Sequence, residues 1–458
     1  MKRMKKIFAL LIAIVMVLGM STSVFAATGT PATGTITITP PSGATGTNTY
    51  KIYKVFDATV NSSTGAVAYK LLAGCEDTDV PTGFTAVRGY ITAAPASLDD
   101  QATALANYDK KVLVDTVTTT GTTAGTSKSL DPGYYYIETS TGTAVYVNAG
   151  GNVQVSDKNV IPSVKKSAGT QYSEEAKKAI AAVGTDQAFT AVITKTHGAK
   201  NVVFTDTMTN MTYNEDVTIT VSAGTAPTAT EAVVEKTDTG FTVTFTDAYI
   251  SGLADGTEIT LNYTGKITSA ALSTDPAKNT ATLTSGDNGS SNTSTDEVEV
   301  YNAKITVNKT DGKDPLPGAK FKLKNADGQY YAGATTDGTA NWTAAGVEVE
   351  AVAVTTGEGE DATTTYTAVF TGLGAGQYTL EESTVPAGYN KAADQTITVT
   401  ADGFTAANLE QTSTVINEQG TVLPSTGGIG TTIFYIIGAI LVIGAGVVLV
   451  TRRRMNVQ

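Results

Sequence analysis

The chain has 458 residues, 31 of them basic and 43 acidic, and its net charge is −12. This acidity argues against nucleic-acid binding, because phosphate contacts need a basic face. The single Cys75 excludes an intramolecular disulfide, and a Ser-His-Asp triad or a histidine-rich metal site would have to use the only histidine, His197.

The first 26 residues predict a secretory signal peptide. Four basic residues precede an apolar run over 7–20, and small residues follow up to Ala26. The run is too short to predict a retained membrane span. Removing this segment and the basic C-terminal tail leaves 24 basic and 43 acidic residues, a net charge near −19. We therefore expect an acidic extracellular protein.

The body of the chain predicts an all-β fold. Alternating runs rich in Thr, Val and Ile recur, such as TITIT at 35–39 and TVTFT at 242–246, and Gly, Asn and Asp-Gly clusters separate them. We expect tandem immunoglobulin-like β-sandwiches in an elongated rod. The predicted parts are a signal peptide, three β domains and a C-terminal segment, over 1–26, 27–160, 161–302, 303–418 and 419–458.

Helix signals are few. Ser97 is expected to cap a helix that reaches about Lys111, and Ser173 a second one that reaches about Ala182. His197 lies in THGAK and is interpreted as a turn residue. Cys75 is interpreted as a small buried hydrophobe.

Lys158 ends the first predicted domain. Val153 and Val155 alternate inward and Asp157 follows them, so Lys158 faces the other way. We expect an exposed amine at a domain junction, and an ordinary surface lysine is the alternative.

The middle domain carries a lysine, an acid and an asparagine at strand positions that are expected to face the core. Lys166 alternates with Val164, Asp206 is in step with Phe204, and Asn279 is in step with Ala281. Lys165 remains a rival for the lysine position, because only the strand register separates it from Lys166.

The third domain carries a similar set. Ile305, Val307 and Lys309 share one strand face, so Lys309 points into the core, where low dielectric favours a neutral, nucleophilic amine. Glu382 is in phase with Leu380, and burial favours its protonated form. Asn417 is in step with Val415 on the closing strand. The alternative is a set of ordinary strand and surface residues.

The C-terminus reads LPSTG, an apolar stretch over about 429–450, and then three arginines. Such a stretch crosses a bilayer, and the arginines hold the tail on the cytoplasmic side. The three parts in this order resemble the sorting signal of sortase substrates. That resemblance implies cleavage after Thr426 and transfer of its acyl group to an amine; the motif residues are Leu423, Pro424, Ser425, Thr426 and Gly427.

The third domain resembles the Cna-B domains of Gram-positive surface proteins. The matching pieces are LPGAKFKL, the box YTLEESTVPAGY and the closing Asn417. The resemblance implies an isopeptide bond between Lys309 and Asn417, formed autocatalytically with Glu382 assisting proton transfer. No cofactor and no metal are implied.

The chain as a whole resembles sortase-assembled backbone pilins. This implies a middle-domain bond between Lys166 and Asn279, assisted by Asp206. It also places Lys158 where such pilins carry their polymerising lysine, although the family's Tyr-Pro is Ser156-Asp157 here. The segments YKIYKVFDA and DPGYYYIE resemble the first pilin domain and make Lys54 and Glu138 candidates for a third set, for which no asparagine partner is evident.

The leading interpretation is a non-enzymatic structural subunit of a covalently polymerised pilus that supports adhesion. Its expected partners are a pilin-class sortase, identical subunits, a housekeeping sortase with peptidoglycan, and a host-surface ligand. The alternative is an adhesin or minor pilin attached once through Thr426. A secreted hydrolase has little support, because the chain shows no nucleophile elbow or metal-ligand cluster, and acids such as Glu381-Glu382 are sequence neighbours.

Overall fold

The structure is a computed structural model that describes residues 33–61, 66–139, 145–149, 151–268, 275–287, 291–336, 338–359, 362–421 and 429–455. The predicted signal peptide and the LPSTG motif lie outside these residues. Within them the chain is dominated by β-strands, and the all-β prediction is confirmed. Hydrogen-bonded strands fall into six sheets, two in each of three consecutive groups that we call the N-terminal, middle and C-terminal units.

The N-terminal unit has a three-stranded sheet in the order β10-β1-β7 and a seven-stranded sheet in which β4-β5-β3-β2-β8-β9 is joined by β6 on β2. The long β2 alternates buried and partly exposed residues, as its period-two sequence predicts. Its elements are β1 (Ile36–Thr39), β2 (Thr47–Val60), β3 (Val67–Lys70), β4 (Thr85–Val87), β5 (Tyr90–Ala93), α1 (Leu98–Ala106), β6 (Val112–Thr120), β7 (Gly125–Thr126), β8 (Gly133–Thr139), β9 (Val145–Ala149) and β10 (Val153–Ser156).

The middle unit packs a sheet of order β11-β13-β19-β15, with β16 also on β19, against a second sheet of order β12-β21-β20-β14-β18-β17. One apolar cluster lies between the two sheets. The elements are β11 (Ser163–Ala168), β12 (Lys178–Ile180), β13 (Asp186–Thr194), β14 (Val203–Thr209), β15 (Met211–Tyr213), β16 (Thr218–Val221), β17 (Ala232–Thr237), β18 (Gly240–Phe245), α2 (Asp247–Gly252), β19 (Glu258–Ile267), β20 (Ala277–Ser285) and β21 (Asn292–Tyr301).

The C-terminal unit packs the sheet β27-β28-β22-β31 against β25-β24-β23-β29-β30, to which β26 adds beside β23. Its first and last strands, β22 and β31, pair in parallel. The elements are β22 (Ala303–Thr310), β23 (Lys320–Lys324), β24 (Tyr330–Ala334), β25 (Ala340–Thr343), β26 (Val349–Glu350), β27 (Val352–Thr356), β28 (Thr363–Leu373), β29 (Gly376–Thr384), β30 (Gln395–Val399), α3 (Ala406–Leu409), β31 (Glu410–Ile416) and, beyond the unit, α4 (Ile429–Met455).

One helix prediction is right in position and the other is wrong. The Ser97 hydroxyl accepts a hydrogen bond from the Asp100 amide at 3.0 Å and caps α1, which ends at Ala106, before the expected Lys111. No helix follows Ser173. A turn occupies the segment, and β12 then pairs in parallel with the end of β21. The sheet edge offered by β21 outweighs the local helix signal, since tertiary pairing routinely overrides propensity.

Candidate functional site

The C-terminal unit buries Lys309 at the end of its first strand. Ile305, Val307 and Lys309 alternate into the core, and Lys309 is only 2% exposed. The parallel register of β22 and β31 sets Lys309 beside Val415. Asn417, two residues further on, donates its backbone amide to the carbonyl of Thr310 at 3.1 Å. The register therefore brings the lysine and the asparagine to the same end of the sandwich.

Glu382 reaches the same place from β29, in the opposite sheet. It is buried, and its Oε2 accepts hydrogen bonds from Asn417 Nδ2 at 2.8 Å and from the Ala392 amide at 2.9 Å. Asn417 Nδ2 also donates to the Asn390 carbonyl at 2.6 Å. Because a carbonyl only accepts, these contacts fix which amide atom of Asn417 is the nitrogen.

The surroundings of Lys309 shift it toward its uncharged form. Burial lowers the pKa of Lys309, and the nearby carboxylates of Glu382 and Asp311 oppose that effect without cancelling it. Its Nζ donates to the carbonyls of Thr310 at 2.8 Å and Val415 at 3.3 Å. Among the described residues, Glu382 Oε1 and Asn417 Oδ1 have no hydrogen-bond partner although both are buried. Such unsatisfied atoms cost about 1–3 kcal/mol each.

The middle unit buries a second set between its two sheets. Lys166 on β11 has an exposure of 0%, and Asp206 on β14 and Asn279 on β20 are also buried. Met208 pairs with Asn279 and Asp206 pairs with Ala281, so Asp206 and Asn279 are diagonal neighbours on one inner face. Lys166 Nζ donates from the facing sheet to Asp206 Oδ2.

Burial pushes both ionisable members of this set toward their neutral forms. It lowers the pKa of Lys166 and raises the pKa of Asp206, and the mutual attraction of the two groups only partly offsets the loss of solvent. Lys166 Nζ also lies 4.9 Å from the ring centre of Tyr263 and 5.3 Å from that of Phe189. A neutral amine beside a protonated acid is the pair that acyl transfer to nitrogen requires.

The two adjacent lysines of β11 have opposite surroundings. The side chain of Lys165 is 56% exposed and forms an ion pair with Glu174 at 3.0 Å, outside the sandwich. The register of β11 on β13 places Lys166 on the inner face. Burial therefore favours Lys166 over Lys165 as the lysine of this set.

Lys158 lies between β10 and β11 and is exposed. Both of its neighbours are held by hydrogen bonds. Asp157 is buried and accepts from the Tyr50 hydroxyl at 3.0 Å, while Asn159 donates its backbone amide to Asp157 at 2.9 Å and its side-chain amide at 2.7 Å. The lysine is thus presented to solvent from a loop anchored on both sides.

Two protein families match the C-terminal part of the chain. Residues 303–413 match the SpaA prealbumin-like fold domain, and residues 416–457 match the LPXTG cell wall anchor motif. The chain is a cell wall-anchored surface protein. The first match confirms that the third predicted domain resembles a known surface-protein domain, and the second confirms the sorting signal expected at the C-terminus. No curated protein matches the chain.

Solved structures similar to this cell wall-anchored protein are pilins. The pilus 2b backbone protein of group B streptococcus is 25% identical, with 57% of this chain and 99% of that chain covered and a TM-score of 0.42. The T6 backbone pilin of Streptococcus pyogenes is 16% identical, with 82% and 81% covered and a TM-score of 0.49. The major pilin SpaD of Corynebacterium diphtheriae is 19% identical, with 86% and 99% covered and a TM-score of 0.46.

The anchor ends in an apolar helix. Within α4, Thr432–Arg454 is long and apolar enough to span a membrane, with a mean hydropathy of 2.8. Three arginines lie in its last turn. The motif residues Leu423, Pro424, Ser425, Thr426 and Gly427 lie outside the described residues, so their sorting role stays a prediction.

The structure does not assemble a third set from Lys54 and Glu138. Lys54 forms an ion pair with Asp57 at 2.6 Å, whereas Glu138 lies opposite Lys51 in the β2–β8 register. His197 is an exposed turn residue near Asp255, as expected. Cys75 is only partly buried and packs against the apolar cluster of the N-terminal unit that contains Phe56.

Tyr263 is a member of the middle set that the sequence reasoning missed. It lies on β19, and its hydroxyl contacts both Lys166 Nζ and Asp206 Oδ2. A signal was present in the sequence, because Tyr263 is in phase with the core residues Ile259 and Leu261. A buried tyrosine hydroxyl needs a polar partner.

Proposed function

We propose that the chain is the repeating structural subunit of a covalently polymerised surface pilus, stabilised by two intramolecular Lys–Asn isopeptide bonds. The two buried sets, one in each of two consecutive units, carry this proposal. Burying a lysine, an acid and an asparagine amide together is costly, and titratable groups with shifted pKa values cluster at reactive sites. Their recurrence in both units makes a chance arrangement a poor explanation.

The bond in the C-terminal unit joins Lys309 Nζ to the side-chain carbonyl carbon of Asn417. The neutral amine attacks that carbon, Glu382 transfers protons between the attacking and leaving nitrogens, and ammonia leaves. Asn417 Nδ2, the leaving nitrogen, already contacts Glu382 Oε2 at 2.8 Å. Folding holds amine and amide together and so replaces a bimolecular encounter by a high effective concentration.

The middle unit forms the equivalent bond between Lys166 and Asn279, with Asp206 as the proton-transferring acid. The buried Asp206 Oδ1 and both amide atoms of Asn279 have no hydrogen-bond partner among the described residues. Bond formation releases Nδ2 as ammonia and lets the acid donate to the new amide oxygen, so the reacted site holds fewer unsatisfied buried atoms. A secreted protein without disulfides gains mechanical stability from such cross-links.

Polymerisation uses the exposed lysine. A pilin-class sortase cleaves after Thr426 and transfers the threonyl acyl group to Lys158 Nζ of another subunit, and a housekeeping sortase attaches the finished fibre to peptidoglycan. The anchored loop around Asp157 supports this role, because it presents the amine without burying it. The fibre then supports adhesion, directly or through a host-surface ligand.

The Lys158→Arg substitution tests this role. It keeps the charge and removes the nucleophile, since the Arg guanidinium stays protonated. We expect the high-mass ladder of surface extracts on a denaturing gel to disappear. The matched control Lys165→Arg, at another exposed lysine near the same junction, keeps the ladder. An unchanged ladder in the Lys158 variant contradicts polymerisation through this residue and favours an adhesin attached once through Thr426.

A further inference from the structure

The middle set contains a feature that the C-terminal set does not show. Lys166 Nζ donates to the Tyr263 hydroxyl, and that hydroxyl donates to Asp206 Oδ2. In the C-terminal set, Lys309 Nζ donates to the backbone carbonyls of Thr310 and Val415 instead. The acid of the middle set is therefore linked to its lysine through a phenol as well as directly.

Tyr263 is held rigidly in this position. It is 3% exposed, and its ring lies 4.8 Å from that of Phe241, edge to face, and 5.9 Å from that of Phe189. The loss of solvent and then the neighbouring carboxyl raise the pKa of Tyr263, so the phenol carries its proton in the unreacted site.

The amide that reacts is a diagonal neighbour of Asp206 on the same inner face. Asp206 Oδ1 and Asn279 Oδ1 are both buried, and neither has a partner among the described residues. Asn279 nevertheless influences the pKa of both Asp206 and Tyr263. When the amine attacks, the Asn279 carbonyl oxygen must gain a proton, and the unpartnered Oδ1 of its diagonal neighbour Asp206 is the acid oxygen left free to supply it.

We propose that Tyr263 is a catalytic residue of the middle-unit isopeptide bond, relaying a proton from Lys166 to Asp206. This inference rests on the proposed function, since it assumes that the bond between Lys166 and Asn279 forms. What the inference adds is the path of the proton. The amine loses its proton to the phenol, and the acid protonates the amide through its other oxygen.

The protons balance along this route. As the bond from Lys166 Nζ to the Asn279 side-chain carbon forms, one Nζ proton passes to the Tyr263 oxygen. The phenol proton passes to Asp206 Oδ2, and the Asp206 Oδ1 proton passes to Asn279 Oδ1. When the carbon–Nδ2 bond breaks, the hydroxyl proton returns to Asp206, which protonates Nδ2, and ammonia leaves. Tyr263 and Asp206 end in their starting protonation states.

The Tyr263→Phe variant tests the relay, because it removes one oxygen and keeps the ring. The full-length chain is made by cell-free synthesis, translation is stopped, and tryptic peptides joining Lys166 to Asn279 are quantified against time. We expect bond formation to slow by about 100-fold, the low end of what a positioned proton-transfer group contributes. A rate within about twofold of wild type overturns the relay.

Two controls in the same experiment distinguish a slow proton relay from a general defect in folding or bond formation. The Lys309–Asn417 peptide in the same sample should form at the wild-type rate. Tyr213→Phe removes a second hydroxyl from the same core, one that accepts from the Val217 amide at 3.0 Å, and should leave the middle bond unaffected. If wild type itself shows no bond between Lys166 and Asn279, the proposed function fails in this unit and the relay fails with it.

If the Tyr263→Phe variant does not fold, Tyr263→His provides a second test of the relay. Imidazole accepts a proton at one nitrogen and donates from the other, so Tyr263→His should form the bond and Tyr263→Leu should not. Equal bond formation in the His and Leu variants contradicts the relay.

Discussion

Replacing Glu382 with Gln should remove the C-terminal isopeptide bond and leave the fold in place. Gln has nearly the same shape and keeps an oxygen that can accept from Asn417 Nδ2 and the Ala392 amide, now at 2.8 and 2.9 Å. It cannot take up and return a proton as a carboxyl does. The direct loss of packing is therefore small, and the change in stability reports the missing cross-link.

The size of the effect follows from loop closure. The bond closes a loop of roughly 100 residues, for which the chain-entropy relation gives about 4.7 kcal/mol at 25 °C. For a domain of this size, 1 kcal/mol shifts the midpoint of thermal unfolding by about 4 °C. We therefore expect the C-terminal unit of the Gln variant to unfold about 20 °C lower than in wild type.

Scanning calorimetry and intact mass measured on the same preparation provide the assay. The variant should be heavier than wild type by one ammonia, apart from the substitution itself. The control is Glu381→Gln, since Glu381 points to the other face and pairs with Lys324 at 2.7 Å in a partly exposed ion pair worth at most about 1 kcal/mol. If the Glu382 variant keeps the bond, or loses it with no change in unfolding temperature, the reasoning is refuted.

Three further outcomes are expected. Asp206→Asn should lose the middle bond and keep the C-terminal one, as peptide mapping would show; a retained middle bond would contradict the role of this acid. Lys166→Met should lose the middle bond and Lys165→Met should keep it, and the reverse pattern would contradict the assigned register. The third outcome concerns an Asn417→Ala chain, in which Lys309 stays unbonded. Burial lowers the pKa of Lys309 in the folded state below its unfolded value of about 10.4. Between these two pKa values the unfolded state binds more protons, so the free energy of unfolding should rise with pH in that range. Denaturant unfolding with and without Lys309→Met checks this, and equal pH profiles would contradict it.

The sequence predicted the inner-facing residues well because strand alternation is a local property. Lys309 follows Ile305 and Val307 in step, and the structure buries all three. The same rule left Lys165 and Lys166 undecided, because the register that separates them depends on pairing with β13. The domain boundaries expected near Pro162 and Asn302 stay predictions.

The contacts that complete the sets depend on the tertiary fold. Lys166, Asp206 and Tyr263 come from three strands far apart in sequence, and only the packing of two sheets brings their polar atoms together. For Lys54 and Glu138 the fold does not bring the residues together. The family resemblance suggested them as partners, but in the β2–β8 register Glu138 lies opposite Lys51. The helix prediction after Ser173 was wrong for the same reason. The segment pairs with the edge of β21, and a local sequence pattern contains no information about that edge.

The central claim is that folding alone joins Lys309 to Asn417 and Lys166 to Asn279. Intact-mass measurement of the folded, unmodified chain, followed by tryptic peptide mapping, tests it most directly. The account predicts a mass lower than that of the sequence by two ammonia molecules, together with the two branched peptides. A mass equal to that of the linear sequence, with all four residues in unmodified peptides, would contradict it.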